Sequence, residues 1–374
     1  MGAVQLGILA LTLLSLGLSG YAIWRDKGLE WSFAVSTPPA PQGAPRFETV
    51  FDYSVDQGVA HAPAIVGREN GADIVWFQGS SEAQPDVEIH RARLTRSPDG
   101  TWRADTPKAI ITSPDLGNTF TPQQLVVTLG NTIENEASPD NLYTTVVSVG
   151  GWAMASIADV AMQDGRPAQA RKLNLSPFLN RSFLVKSPMV AYADGSHGLP
   201  AYFEMGSTYG ALVRFDDTGR VRDQRRMAGD GVKPIQPMVV PLNADRAVAF
   251  LRDFKDSGRL YVSRTSDGGQ SWSKAEATDI AHPNAPVAVL PVSGGRMLMA
   301  LNGDAESADL LHLALSEDEG VTWRVIHSLD RKPGDARYPM LRRLDNGDIL
   351  LVYSHGTKTG LRAVVMNEAW VAAQ

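Results

Sequence analysis

The chain has 374 residues, 43% hydrophobic and 20% charged, an ordinary globular composition with material for one large core. Its formal net charge is −6, from 35 basic and 41 acidic side chains without a basic cluster, so nothing favours nucleic acid as a partner. The absence of cysteine removes disulfides, thiolate nucleophiles and Cys-ligated metals together, and the seven histidines lack H-x-x-x-H or related spacing, so no metal or other cofactor is expected.

The first 27 residues read as a membrane anchor. Val4 to Trp24 is a run of 21 residues without a charge, closed by Arg25, Asp26 and Lys27, and long enough to span a bilayer core as one helix. A cleaved signal peptide is the rival, but the basic n-region is missing and the apolar run is long for one. The two basic residues after the span, taken alone, place the body in the cytoplasm. Residues 28–46 follow as a spacer, because STPPAPQGAPR (Ser36 to Arg46) is too rich in Pro for helix or central strand.

From residue 47 to 374 the pattern is all-β. FETVFDY (Phe47 to Tyr53) alternates as a strand and is expected to pair near Leu361 to Val365, closing a ring and removing its exposed edges. A Pro opening an apolar run, then a turn and a second β-rich run, recurs at Pro63, Pro122, Pro188, Pro237, Pro286 and Pro339, at intervals of 59, 66, 49, 49 and 53 residues. Six units of this length predict a six-bladed β-propeller of four-stranded blades.

Two stretches sharpen that expectation. TSDGGQSW (Thr265 to Trp272) and SEDEGVTW (Ser316 to Trp323) share Ser/Thr-x-Asp-x-Gly-x-Ser/Thr-Trp and lie 51 residues apart. Asp267 and Asp318 are suited to accept backbone N–H bonds within a turn, Gly269 and Gly320 to take positive φ, and Trp272 and Trp323 to be buried beneath. SPDGTW (Ser97 to Trp102) is a shortened copy in blade one, and FDDTG (Phe215 to Gly219) a trace assigned by unit order to blade four. These residues read as structural staples without chemistry.

The pattern is similar to the Asp-box (BNR repeat) of sialidase-like β-propellers, and the chain resembles their divergent branch that includes bacterial Kdo hydrolases. In a propeller, residues starting the innermost strands face the channel mouth. Around the repeating prolines these are His61, Phe120, Lys186, Gln236, Asn284, Arg337 and Tyr338, a polar set suited to an anion. The resemblance assigns the acid/base Asp to Asp86 in GSSEAQPDVEI, the nucleophilic Tyr to Tyr338 in ARYPML, and a carboxylate-binding Arg to Arg252 in FLRDF. It departs at His61, where an Arg is expected, and at Gln236, where the Glu that activates the Tyr is expected. A third Arg has no equivalent, and Glu204 in PAYFEMG stands as the substitute base.

The resemblance thus implies a retaining exo-glycosidase that releases a terminal 2-keto-3-deoxy sugar acid, such as Kdo or sialic acid, from an envelope glycoconjugate such as lipid A core. Lys186, His61 and Arg337 would supplement Arg252 in holding the sugar carboxylate. It also implies an inner-membrane protein with its propeller in the periplasm, against the reading from Arg25 and Lys27, and a separate membrane subunit as partner. The competing reading is a non-catalytic propeller that binds glycan or protein, and convergence of Asp86, Tyr338 and Arg252 on one cavity discriminates the two.

Overall fold

Apolar runs of five to ten residues separated by Gly, Asp and Asn turns fold into six antiparallel sheets. The structure, a computed structural model, describes residues 2–25, 28–176, 180–255, 257–329 and 335–374, so Asp26 and Lys27 of the predicted anchor flank lie outside the described residues. The chain divides into two units, Met1–Glu30 and Trp31–Gln374. In the first, Ala3–Arg25 is a 23-residue helix, long and apolar enough to cross a membrane by length and composition, properties that an N-terminal signal sequence shares.

The second unit is the propeller. The innermost strands of its blades are Val59–Arg68, Thr128–Glu134, Phe183–Val185 continued by Val190–Ala191, Pro234–Pro241, Ala288–Val292 and Arg337–Arg343. Blades pack face to face, so second strands such as Ala247–Asp253 and Ile349–His355 are buried on both faces and read as continuous apolar runs. Outer strands such as Val221–Met227 (VRDQRRM) meet solvent and are polar. The N-terminal strand Phe47–Ser54 completes the last blade by pairing with Gly360–Met366, Phe47 opposite Met366 and Tyr53 opposite Leu361. This is the pairing expected from the sequence, and it closes the ring.

Three inner strands carry the same irregularity. Ala62, Gln236 and Tyr338, with φ of 54°, 51° and 59°, each sit in a β-bulge and each precede a proline. The bulge leaves the ladder locally unpaired, which is why Pro63, Pro237 and Pro339 are tolerated inside strands. The equivalent bulge of the second blade falls at Gly130 and Asn131, between Leu129 and Thr132. Pro122 therefore opens no strand, and Phe120 is a buried core residue capping the short helix Ser113–Thr119, away from the channel.

The two Asp-boxes superpose bond for bond. Thr265 and Ser316 donate to Asp267 and Asp318 (2.8 Å each) and accept from Gly269 N–H (3.0 Å) and Gly320 N–H (2.9 Å). The second aspartate accepts from the hydroxyl (2.6 Å) and N–H (2.9 Å) of Thr322, which hold its carboxyl down at about 2. Gly269 and Gly320 have φ of 91° and 80°, and a Cβ on Gly320 would lie 2.6 Å from Phe250 of the preceding blade. Trp272 and Trp323 are half-buried rather than fully buried, because each leans on the preceding blade and leaves one edge in solvent. Trp323 meets Phe250 edge-on at 5.7 Å. The Asp-boxes therefore staple blade to blade. The Phe215 to Gly219 turn, whose Asp216 accepts from Thr218 and Arg220, belongs to the third blade, not the fourth.

The expected spacer is a strap that packs on the propeller at Trp31 to Phe33 and again at Arg46, and is exposed along most of its length between. Phe33 is buried and bridges to Tyr192, and Arg214 stacks on the rings of Tyr192 (3.2 Å) and Trp31 (4.7 Å). Ala34 and Ser36 line the end of the channel remote from the bulges, and Asn367 receives Arg46 N–H at 3.0 Å while donating to Ala44 at 2.9 Å. The propeller unit thus begins at Trp31, ahead of the boundary expected at residue 47. Trp323→Ala is expected to destabilise the protein by about 2 kcal/mol, roughly half the ~3–5 kcal/mol of a fully buried aromatic, because the ring is half in solvent. Urea unfolding measures it, and a loss below about 0.5 kcal/mol would remove the staple role.

Candidate active site

The bulged starts of the inner strands and the ends of the second strands meet at one mouth of the channel, around a cavity of about 220 Å³. Its polar wall is His61, Glu82, Asn131, Tyr202, Glu204, Gln236, Arg252 and Tyr338, and its apolar wall Phe77, Trp152, Leu184 and Phe254. At Gln236 and Tyr338 the left-handed residue itself lines the cavity; in the first blade that position is Ala62, and the preceding His61 takes the role.

Arg252 Nη1 donates to the Tyr338 hydroxyl at 3.2 Å, and the residue is 9% exposed. Gln236 Nε2 donates to the Tyr202 hydroxyl at 3.0 Å. Burial pushes the Tyr202 phenol up, reinforced by the charges of Glu204 and Tyr338. Burial also raises the Glu204 carboxyl, against the opposing pull of Arg252. His61 packs against Tyr338, 4.4 Å between centroids with the rings tilted by 59°, and is held well below its ordinary value by burial, then by Lys358, Arg337, Lys186 and Arg252. Ser354 Oγ accepts from Ala62 N–H (3.1 Å) and lies 2.8 Å from His61 Nδ1.

Of the residues expected from sequence, Tyr338, Arg252, Glu204, His61 and Gln236 lie on this cavity. Asp86 does not. It is exposed on the loop between the second and third strands of blade one, with both oxygens taken by Ser80 N–H and Oγ at 2.9 Å, bonds that hold its carboxyl low. The expected three-way convergence is therefore two-way. Asn284 and Arg337 line a neighbouring cavity of about 520 Å³, where Asp335 holds the Arg337 guanidinium at 2.6 Å. Lys186 is buried and donates across the channel to the Pro339 carbonyl at 3.1 Å, linking the third blade to the sixth. It braces the bulge behind Tyr338 instead of lining the cavity.

Glu82, Asn131, Trp152, Tyr202 and Phe254 were missed. For Tyr202 the signal was its place two residues before Glu204 at a strand end, so that strand alternation points both side chains to one side. The loop residues Glu82 and Trp152 gave no periodic signal.

This arrangement defines a six-bladed propeller of the sialidase-like type. Residues 73–351 match the BNR repeat-like domain, and the chain belongs to that family. No curated protein sequence matches it. Among solved structures it is similar to a Dyadobacter fermentans protein of unknown function (TM-score 0.63, 15% identity, 86% of this chain and 99% of that one). It is also similar to the Hadza microbial sialidase Hz136 (0.61, 15%, 82% and 66%) and to Trypanosoma rangeli sialidase with the inhibitor DANA (0.58, 13%, 85% and 56%). These likenesses are of fold, and the chain spans two-thirds or less of the two sialidases.

Burial first, and Arg252 second, bring the Lys186 amine down to about 7, whereas in the unfolded chain lysine keeps its proton to about 10.4. Between those values the unfolded chain binds more protons, so the contribution of this group to stability is lowest below about pH 7 and rises above it. Wild type is expected to gain stability relative to Lys186→Met between about pH 6 and pH 9 in urea unfolding. An unchanged difference would show that the amine keeps its proton when buried.

Proposed function

We propose that this protein is an exo-acting, retaining glycoside hydrolase of the sialidase type. The observation that carries this is the contact of the Arg252 guanidinium with the Tyr338 hydroxyl inside a cavity that also holds the proton-accepting carboxylate Glu204. A sugar carboxylate beside the reacting carbon repels an anionic attacker, so a neutral phenol is the better nucleophile there. The guanidinium that touches Tyr338 is also the one placed to hold that carboxylate, and among the described residues it is the only arginine lining the cavity. Glu204 takes the phenolic proton in place of the carboxylate that Gln236 lacks. The matching substrate is a terminal 2-keto-3-deoxy sugar acid: Kdo, sialic acid or a related nonulosonate on an envelope glycoconjugate.

Tyr338→Phe is expected to abolish release of free sugar acid from Kdo-lipid A or a sialoside while leaving the melting temperature unchanged; wild-type turnover would rule out the covalent route. Arg252→Met removes a charged hydrogen bond of about 1.5–3 kcal/mol and should lower kcat/KM about 10- to 150-fold.

The length and composition of the helix Ala3–Arg25 support a membrane anchor, and a lipid-linked envelope substrate is the reason for placing that anchor in the inner membrane with the propeller in the periplasm. Protease added to spheroplasts should then degrade the propeller and leave cytoplasmic markers intact, and survival of the propeller until lysis would reverse the topology. A separate membrane subunit remains part of this proposal, to be sought by crosslinking through the helix.

A further inference from the structure

Resting on the glycosidase reading, we infer that Glu82 protonates the leaving group, with His61 and Lys358 as the residues that position it. The loop after strand Gly79 carries two acidic side chains over its turn. Asp86 spends both oxygens on Ser80, and that turn, with Ala83 at φ 63°, folds the loop so that Glu82 stands over the cavity. One Glu82 oxygen lies 3.6 Å from His61 Nε2 and the other 3.1 Å from Lys358 Nζ, a residue of the last blade's outer turn. The side chain is 36% exposed, at the rim where a leaving group would depart.

Among the described residues the cavity is lined by two carboxylates, Glu82 and Glu204. Glu204 interacts electrostatically with Tyr202 and Arg252, whereas Glu82 lies 3.6 Å from the His61 ring, which packs tilted against Tyr338 at 4.4 Å between centroids. The two acids thus reach the cavity from different blades, and the chemistry needs both. In the first half-reaction the glycosidic C–O bond breaks as the Tyr338 O–C bond forms, the phenolic proton passes to Glu204, and the proton of Glu82 passes to the departing oxygen. In the second, water attacks the same carbon and loses its proton to Glu82. The Tyr338 O–C bond breaks, and Glu204 returns the proton to the phenolate.

The groups facing Glu82 are the imidazole of His61 and the ammonium of Lys358, with Arg252 and Glu204 across the cavity.

The test compares aryl ketosides of Kdo and of N-acetylneuraminic acid, which carry a 4-nitrophenolate leaving group, with the same sugars linked to galactose. Glu82→Gln should lose about 10²- to 10⁴-fold in kcat/KM on the sugar-linked substrates and under about 10-fold in kcat/KM on the aryl ones, because in forming the glycosyl-enzyme only the former need a proton. Glu82→Ala should regain turnover of the aryl ketosides with azide, forming the glycosyl azide. Lys358→Met should lower kcat/KM on the sugar-linked substrates more than on the aryl ones, and Asp86→Asn should keep the wild-type ratio between the two substrate sets. Equal losses on both sets for Glu82→Gln, or the leaving-group pattern appearing in Asp86→Asn instead, would overturn the inference while leaving the glycosidase reading standing. A wild-type protein that hydrolyses neither set sinks both.

Discussion

Everything at the cavity depends on one pairing: strand Phe47–Ser54 against Gly360–Met366. An open stack of sheets twists and leaves two edges free, so the inner strands of its first and last blades have no fixed distance. Sharing one blade between the two ends of the chain abolishes the edges. Tyr338 of the last blade is thereby set beside His61 of the first, and the Ser354 hydroxyl can reach both the ring and the Ala62 amide. Two halves of a cavity far apart in the chain are held by a backbone ladder, not by the side chains that line it.

The bulges are the second constraint. A non-glycine residue with positive φ is costly, on the order of 1 kcal/mol or more, and this chain repeats that cost in three blades at equivalent places. The return is direction. A regular strand points alternate side chains into the neighbouring blades, where they are buried as core, whereas a bulge swings Gln236 and Tyr338 into the channel mouth. The prolines that follow are the mark of that device, since they need no partner where the ladder is already broken. Lys186, reaching from the opposite blade to the Pro339 carbonyl, fixes the same bulge from behind.

How far the sequence could be read follows from these causes. Blade count, ring closure and the Asp-boxes were legible because each is a local pattern repeated: Asp267 and Asp318 build the same turn from the same neighbours. Tyr338, Arg252, Glu204, His61 and Gln236 were legible because the proline period marks where inner strands begin and the resemblance marks where second strands end. Phe120 was misplaced because the second unit inserts a helix after its first blade and pushes Pro122 out of register. Asp86 and Glu82 could not be told apart by position, since a turn of five residues reverses which of them faces inward. Arg337 was one residue from the mark, and in a bulge one residue decides which cavity a side chain enters.

The strap of Trp31 to Arg46 and the crossbar of Lys186 together bear on traffic through the ring. A propeller is drawn as a tube, but here Lys186 spans its waist, three buried methionines (Met189, Met238 and Met340) crowd the lower half, and Ala34 and Ser36 lie along the far rim. What remains is a cavity of about 220 Å³ at the bulged end, cut off by the Lys186 amine from a second one of about 300 Å³ at the far end, so passage straight through the ring would have to displace a buried side chain.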